Sequence, residues 1–181
     1  MRVVAGTAKG RTLVTPPGAR TRPTTDRVRE AVFNALWSRG AIAGARVVDL
    51  FAGSGALGVE ALSRGAAHAT FVDSDREARR AIGRNLEVCG VADRATVVAT
   101  PVERWLAGLA DDVRFDLAFC DPPYAFDAWV ALLAATPAAL VVAEAAGPVA
   151  VPEGWSLERE SRYGGTWVGF IASPPMPGSA R

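Results

Sequence analysis

A chain of 181 residues, half of them hydrophobic and 22% charged, can bury the core of one domain and has the balance of an ordinary soluble globular protein. No apolar run approaches the roughly 20 residues that span a bilayer, and MRVVAGTAKGR at the N-terminus lacks the apolar core of a signal peptide, so a cytoplasmic location is expected. Two cysteines (Cys89, Cys120) and one histidine (His68) exclude a disulfide framework and a four-ligand zinc site, and no metal is expected.

The net charge of +1 conceals an asymmetry. Residues 1–30 carry seven basic side chains, Arg2, Lys9, Arg11, Arg20, Arg22, Arg27 and Arg29, against Asp26 and Glu30, a net of +5 that leaves −4 for the rest. A basic N-terminal block on a mildly acidic body suits a polyanionic partner, although a solvated surface explains the charge equally well. Residues 2–14, RVVAGTAKGRTLV, read as two short strands around a Gly-containing turn, and 15–25, TPPGARTRPTT, as loop. Apolar spacing then predicts a helix over 27–38, capped by Thr25 or Asp26.

From Arg46 onward the pattern alternates. Apolar strands are predicted at 46–51, 68–73, 95–99, 115–121 and 140–145, with helices at 56–65, 76–90, 102–110 and 125–135 between them. Such βαβ units predict an α/β fold, a Rossmann-like parallel sheet with helices on both faces. Residues 156–164 and 166–172 meet at Gly164-Gly165 and predict an antiparallel hairpin closing one edge. Three segments are expected: an N-terminal hairpin arm and loop (1–23), the main domain (24–173) and a mobile tail (174–181).

Two motifs carry chemistry. Gly53, Gly55 and Gly58 spell G-x-G-x-x-G between the first strand and its helix, and Asp73 closes the second strand twenty residues after Gly53. This is the context of a nucleotide site, with the acid on ribose hydroxyls; a tight strand-to-helix turn is the plainer alternative. Asp49 decides between ligands, because a carboxylate before the loop repels a pyrophosphate and suits an ammonium and a sulfonium. S-adenosylmethionine carries both and no phosphate. The expected cofactor site is Asp49, Phe51, Ala52, Gly53, Ser54, Gly55, Asp73 and Ser74, with the Val102 N–H facing adenine beside Pro101. Asp75 is either a second acidic contact or the N-cap of the next helix. Trp105 reads as core.

The second motif, Asp121-Pro122-Pro123-Tyr124, ends the fourth strand. Ligands of parallel sheets bind at the carboxyl ends of the strands, where the strand order switches, so both motifs should share one crevice. An exocyclic amino group on a base is planar and a poor nucleophile. Two acceptors, the Asp121 carboxylate and the Pro122 carbonyl stiffened by Pro123, favour a pyramidal nitrogen aimed at a methyl donor. Tyr124 offers a face for stacking the base. Cys120, a conceivable nucleophile for carbon methylation, is turned away by strand alternation.

Taken together these stretches resemble a known family. VDLFAGSGALGVEALSRGA and DPPY resemble the cofactor loop and amino-methyltransferase motif of class I methyltransferases. RVVAGTAKGR followed by TRPTTDRVREAVFN, with the closing RYGGTWVGF, is similar to the bacterial family that methylates N2 of guanine 966 in 16S ribosomal RNA. The departures are Pro101, a short run between Ala135 and Leu140, and Gly165 in place of an Asp. The resemblance implies S-adenosylmethionine as cofactor and 16S rRNA or the small subunit as partner. It also implies an N-terminal block that contacts RNA and closes over the cofactor. Phosphate contacts from Arg2, Lys9, Arg11, Arg20, Arg22, Arg27 and Arg29 fit that role, and nothing suggests a membrane or a dimer. Adenine-N6 or cytosine-N4 methylation uses the same motif and remains the alternative; a non-enzymatic RNA module and a nicotinamide dehydrogenase fit less well.

Overall fold

The computed structural model describes residues 1–16, 24–123 and 125–175. The central apolar runs become strands because each has a covered face on both sides. Along β1 (Arg46–Leu50), Val47 packs into one core cluster while Val48 and Leu50 pack into another across the sheet. The remaining strands are β2 (His68–Val72), β3 (Ala95–Val98), β4 (Phe115–Cys120), β5 (Ala138–Ala145), β6 (Ser156–Tyr163) and β7 (Thr166–Ala172). They form one seven-stranded sheet in the order β3-β2-β1-β4-β5-β7-β6. Strands β1 to β5 are parallel, whereas β7 runs antiparallel to both β5 and β6.

Among the described residues five α-helices cover the two faces. On one side α1 (Thr24–Ser38), α2 (Ala56–Ser63) and α3 (Arg76–Cys89) bury Phe33, Leu62 and Ile82 against Val47, Phe71, Phe119 and Phe170. On the other, α4 (Val102–Ala107) and α5 (Trp129–Ala135) bury Leu106 and Leu133 against Leu50, Cys120, Val141 and Trp167. Every expected strand and helix of the main domain is present, and α2, α4 and α5 are each shorter than their apolar pattern suggested. Among the described residues no helix is long and apolar enough to cross a membrane.

The N-terminal segment departs from expectation in part. Two strands were expected over 2–14, and the two arms do pair antiparallel, through the Arg2–Thr12 bridge and the bonds from Val3 N to the Arg11 carbonyl, Leu13 N to the Met1 carbonyl and Gly10 N to the Val3 carbonyl, but the ladder goes no further. It goes no further because buried helix side chains take the next backbone donors, those of Val4, Ala5, Ala8 and Val14. The Glu60 carboxylate accepts from Val4 N and Ala5 N at 2.8 and 3.0 Å, and Ser63 Oγ accepts from Ala8 N at 3.0 Å. Asn85 Oδ1 accepts from Val14 N at 2.7 Å while its Nδ2 donates to the Val14 carbonyl at 2.9 Å. Gly6, at φ +84°, crosses so close to α2 that a Cβ there would lie 1.9 Å from the Ser63 carbonyl oxygen. With Val3, Ala8 and Leu13 buried, residues 1–14 are a strap on the core, not a projecting arm. Asp26 lies inside α1 and pairs with Arg29 at 3.1 Å instead of capping the helix. Of the expected tail, residues 176–181 lie outside the described residues.

Candidate active site

The site grows from the tip of β1. Asp49 shares the α2 side of the strand with Val47, is 2% exposed, and accepts a hydrogen bond from Gly58 N at 2.9 Å. Phe51 then takes a left-handed backbone, φ 59°, which costs a non-glycine residue on the order of 1–3 kcal/mol. Its ring is held 5.7 Å from that of Phe126, and the turn is closed by Ala52 N donating to the Val72 carbonyl and Gly55 N to the Ala52 carbonyl. The motif's three glycines serve two different needs. Gly53 and Gly55 sit at φ 56° and 73°, where glycine carries no steric penalty. Gly58 is ordinary helix, but a Cβ there would lie 2.3 Å from the Phe71 ring, so its hydrogen lets α2 settle on the sheet.

The second tip is also organised. Asp73 accepts from Gly53 N and from Asp75 N, each at 2.8 Å, which ties the glycine loop to the end of β2 and fixes the carboxylate's orientation. Asp75 is the N-cap of α3, accepting from Glu77 N and Ala78 N at 3.3 and 3.0 Å, so the structural reading of that residue holds. Beside it the Ser74 carbonyl accepts from Arg79 at 2.6 Å. The Ser54 carbonyl accepts from Asn85 at 2.8 Å, so one buried side chain grips both the glycine loop and the N-terminal strap. Val102 opens α4 after Pro101, placing its N–H in the first turn, where no intrahelical acceptor exists. Trp105 packs against Phe115 with ring centroids 6.0 Å apart.

At the tip of β4 the two motifs meet. Leu50 pairs with Cys120, so Phe51 and Asp121 leave the sheet side by side, at the point where the strand order reverses. Strand alternation puts Asp121 on the Asp49 side, while Cys120 is buried in the opposite core. Burial, reinforced by Asp49 and Asp121, pushes the Cys120 thiol far above its usual range, which suppresses any thiolate chemistry there.

Two clefts flank Asp121 and Pro122. One, of about 150 Å³, is lined by Asp49, Phe51, Gly53, Arg29, Asp121 and Glu144 among others. The other, of about 310 Å³, is lined by Pro122, Pro123, Phe126, Trp129 and Glu144, with residues 145–150 closing it. Glu144, near the end of β5, borders both. Burial pushes the Asp49 carboxyl to about 8, with the charges of Asp121 and Asp73 adding to the effect and the Gly58 N–H opposing it. Burial likewise pushes Glu144 to about 8, helped by Asp121 and Asp49 and opposed by Arg29. Once deprotonated, these acids supply acceptors for an ammonium and negative charge that favours a sulfonium and disfavours a phosphate.

Sequence reasoning passed over Glu144, reading LVVAEA only as a strand. The signal was an acid closing an apolar run, the same signal that marked Asp49 and Asp121. Arg29 requires a correction. Expected as a phosphate contact, it is 3% exposed, donates to the Arg2 carbonyl, pairs with Asp26 and lies 3.7 Å from Glu60. Its position on the buried side of α1 commits its charge to the interior. Arg2, Lys9, Arg11 and Arg27 are exposed, whereas the candidates Arg20, Arg22 and Tyr124 lie outside the described residues.

The strand order, with its inverted last strand and glycine loop at the switch point, defines the class I S-adenosylmethionine-dependent methyltransferase fold. Even a chain solved with S-adenosylhomocysteine bound, only 16% identical, shares it at a TM-score of 0.69 over 84% of this chain and 50% of that one. The chain belongs to the family described as Conserved hypothetical protein 95, whose model matches residues 1–172. It is 38% identical to Ribosomal RNA small subunit methyltransferase D of Escherichia coli K12, over 91% of this chain and 85% of that protein. The solved structure of Escherichia coli yhhF is 36% identical and superposes with a TM-score of 0.83, covering 97% of this chain and 99% of the other. These relatives bear out the family that the N-terminal block and the Asp121–Tyr124 motif indicated.

Proposed function

We propose that this protein transfers a methyl group from S-adenosylmethionine to the exocyclic N2 amino group of a guanine in 16S ribosomal RNA. One observation carries the reading: Asp49 and Asp121 sit on the same side of neighbouring strand tips, bordering one crevice beside the glycine loop. The relatives' naming as small-subunit rRNA methyltransferases supports the choice of RNA.

The residues divide the work. The cofactor supplies a methyl group on a cationic sulfur. Asp49 and its acidic neighbours favour that charge, the Gly53–Gly55 turn lets the backbone approach closely, and Asp73 and Ser74 face ribose. Val102 N–H serves adenine. Asp121 and the Pro122 carbonyl accept hydrogen bonds from the target amine and hold its lone pair on the line of attack, so catalysis is alignment plus acceptors for the charge that develops on nitrogen. Pro123 stiffens the turn, and Tyr124 stacks the base. Arg2, Lys9, Arg11 and Arg27, with Arg20 and Arg22, contact RNA phosphates.

The test is tritiated-methyl transfer to ribosomal RNA, small subunits and DNA, with identification of the modified nucleoside. N2-methylguanosine from rRNA or small subunits is the expected product. Asp121→Ala should lose transfer by roughly a hundredfold or more while still binding the cofactor. Normal turnover in that variant would remove Asp121 from its assigned role.

A further inference from the structure

Resting on the proposed guanine-N2 reading, we infer that Glu144 is a specificity-determining residue, whose carboxylate accepts the N1–H of the target guanine and so selects guanine over other amino-bearing bases. The starting point is a chemical gap in the Asp-Pro-Pro-Tyr motif. Its acceptors engage any exocyclic amine and do not distinguish guanine N2 from adenine N6 or cytosine N4. The ring atom beside the amine does. In adenine and cytosine that ring nitrogen is an unprotonated acceptor, whereas in guanine one of the two flanking the amine, N1, carries an N–H donor. A site that selects guanine therefore needs a second acceptor next to the first, and a carboxylate repels the lone pair of the other two bases.

Glu144 is where that acceptor belongs. Cys120 pairs with Ala143, so Asp121 and Glu144 follow at the same level on neighbouring strands, roughly 4.8 Å apart across the sheet. Val142 packs into the same core cluster as Phe119, which puts Glu144 and Asp121 on one face. Glu144 lines both clefts, the one bordered by Asp49 and the glycine loop and the one bordered by Pro122, Pro123 and Trp129. A base whose amine lies at Asp121 would present its adjacent ring nitrogen there. Among the described residues none donates a hydrogen bond to this carboxylate; Arg29 only attracts it at longer range. A half-buried strand-end acid in that condition is costly to the empty fold and rewards a donor supplied by a ligand.

The experiment uses the full chain, saturating S-adenosylmethionine, and a target RNA carrying either guanine or 2-aminopurine at the modified position. 2-Aminopurine keeps the N2 amine and replaces N1–H with an acceptor. Wild type should prefer guanine in kcat/KM by roughly tenfold to a hundredfold. In Glu144→Gln the side-chain amide can donate to the N1 of 2-aminopurine, and the preference should shrink at least about tenfold or invert. Glu144→Asp should turn over more slowly yet still prefer guanine. The ratio is taken within one preparation, so partial misfolding cancels. Equal use of the two bases by wild type, with methyl on N2, would overturn the role of Glu144 and leave the guanine-N2 reading standing. An unchanged ratio in Glu144→Gln would reduce Glu144 to a structural or cofactor-side residue. Methyl on an atom other than N2 would overturn the proposed function itself.

Discussion

Asp49 shows function opposing stability in one side chain. Its carboxyl ordinarily titrates at 3.8 and is pushed to about 8 in the fold, chiefly by burial. The folded state therefore holds a proton that the unfolded chain has released. The stability this contributes is complete below pH ~4 and is lost as pH rises toward 8. Asp121 and Asp73 face the group and add to the effect, while the Gly58 N–H opposes it. Asp49→Asn keeps an acceptor for Gly58 N and removes the titration. The variant should gain Tm relative to wild type, by about 2–4 °C for each kcal/mol relieved, and the gain should widen from pH 5 to pH 8 in thermal melts. It should also lose S-adenosylmethionine affinity, measured by calorimetry, because the charge that destabilises the empty protein is the one proposed to attract the cofactor. Strand-tip acids of this kind were legible at two positions, Asp49 and Asp121. Glu144 ends an apolar run in the same way, but the sequence alone does not show that the fifth strand's tip shares the crevice of the first and fourth.

Among the elements, the alternating core was legible because apolar strands and amphipathic helices differ in period, and each β/α unit is locally encoded. Of the N-terminal segment the hairpin was legible, but its seat on the core was not. Its partners on the body are Glu60, Ser63 and Asn85, polar residues on the buried faces of α2 and α3 that lie tens of residues away in sequence. A pattern reader assigns such residues to solvent. Asn85 makes three hydrogen bonds, two to Val14 and one to the Ser54 carbonyl. Asn85→Ala should cost about 2–4 kcal/mol, because buried backbone groups lose their partners. Hydrogen exchange should quicken first over residues 1–14 and the glycine loop, ahead of the sheet. Uniform quickening across the sheet would mean that Asn85 supports the whole core and not the strap. The same displacement explains why Arg29 was misplaced: the strap it supports covers it.

For the whole molecule, the charge separation visible in the sequence survives folding only in part. Arg2, Lys9, Arg11 and Arg27 remain at the surface, and Arg29 is withdrawn into the interior. If the strap grips RNA, Lys9→Ala with Arg11→Ala should weaken binding across RNA sequences and flatten log K against log salt by roughly 0.7–0.9 for each phosphate no longer neutralised. An unchanged slope in filter-binding titrations would move the RNA surface away from the strap.

The placement of β7 has a consequence for how the chain is made. This strand, the last among the described residues, lies between β5 and β6 and not at the sheet's margin. Until residues 166–172 leave the ribosome, β5 keeps a bare row of amides and carbonyls over Val141, Val142 and Ala143, apolar positions that the finished protein hides completely or nearly so. A nascent or truncated chain that halts at the β6 hairpin therefore offers a template for pairing with other chains, and its release into the cell invites proteolysis or clumping. Translation of β7 is what covers this edge.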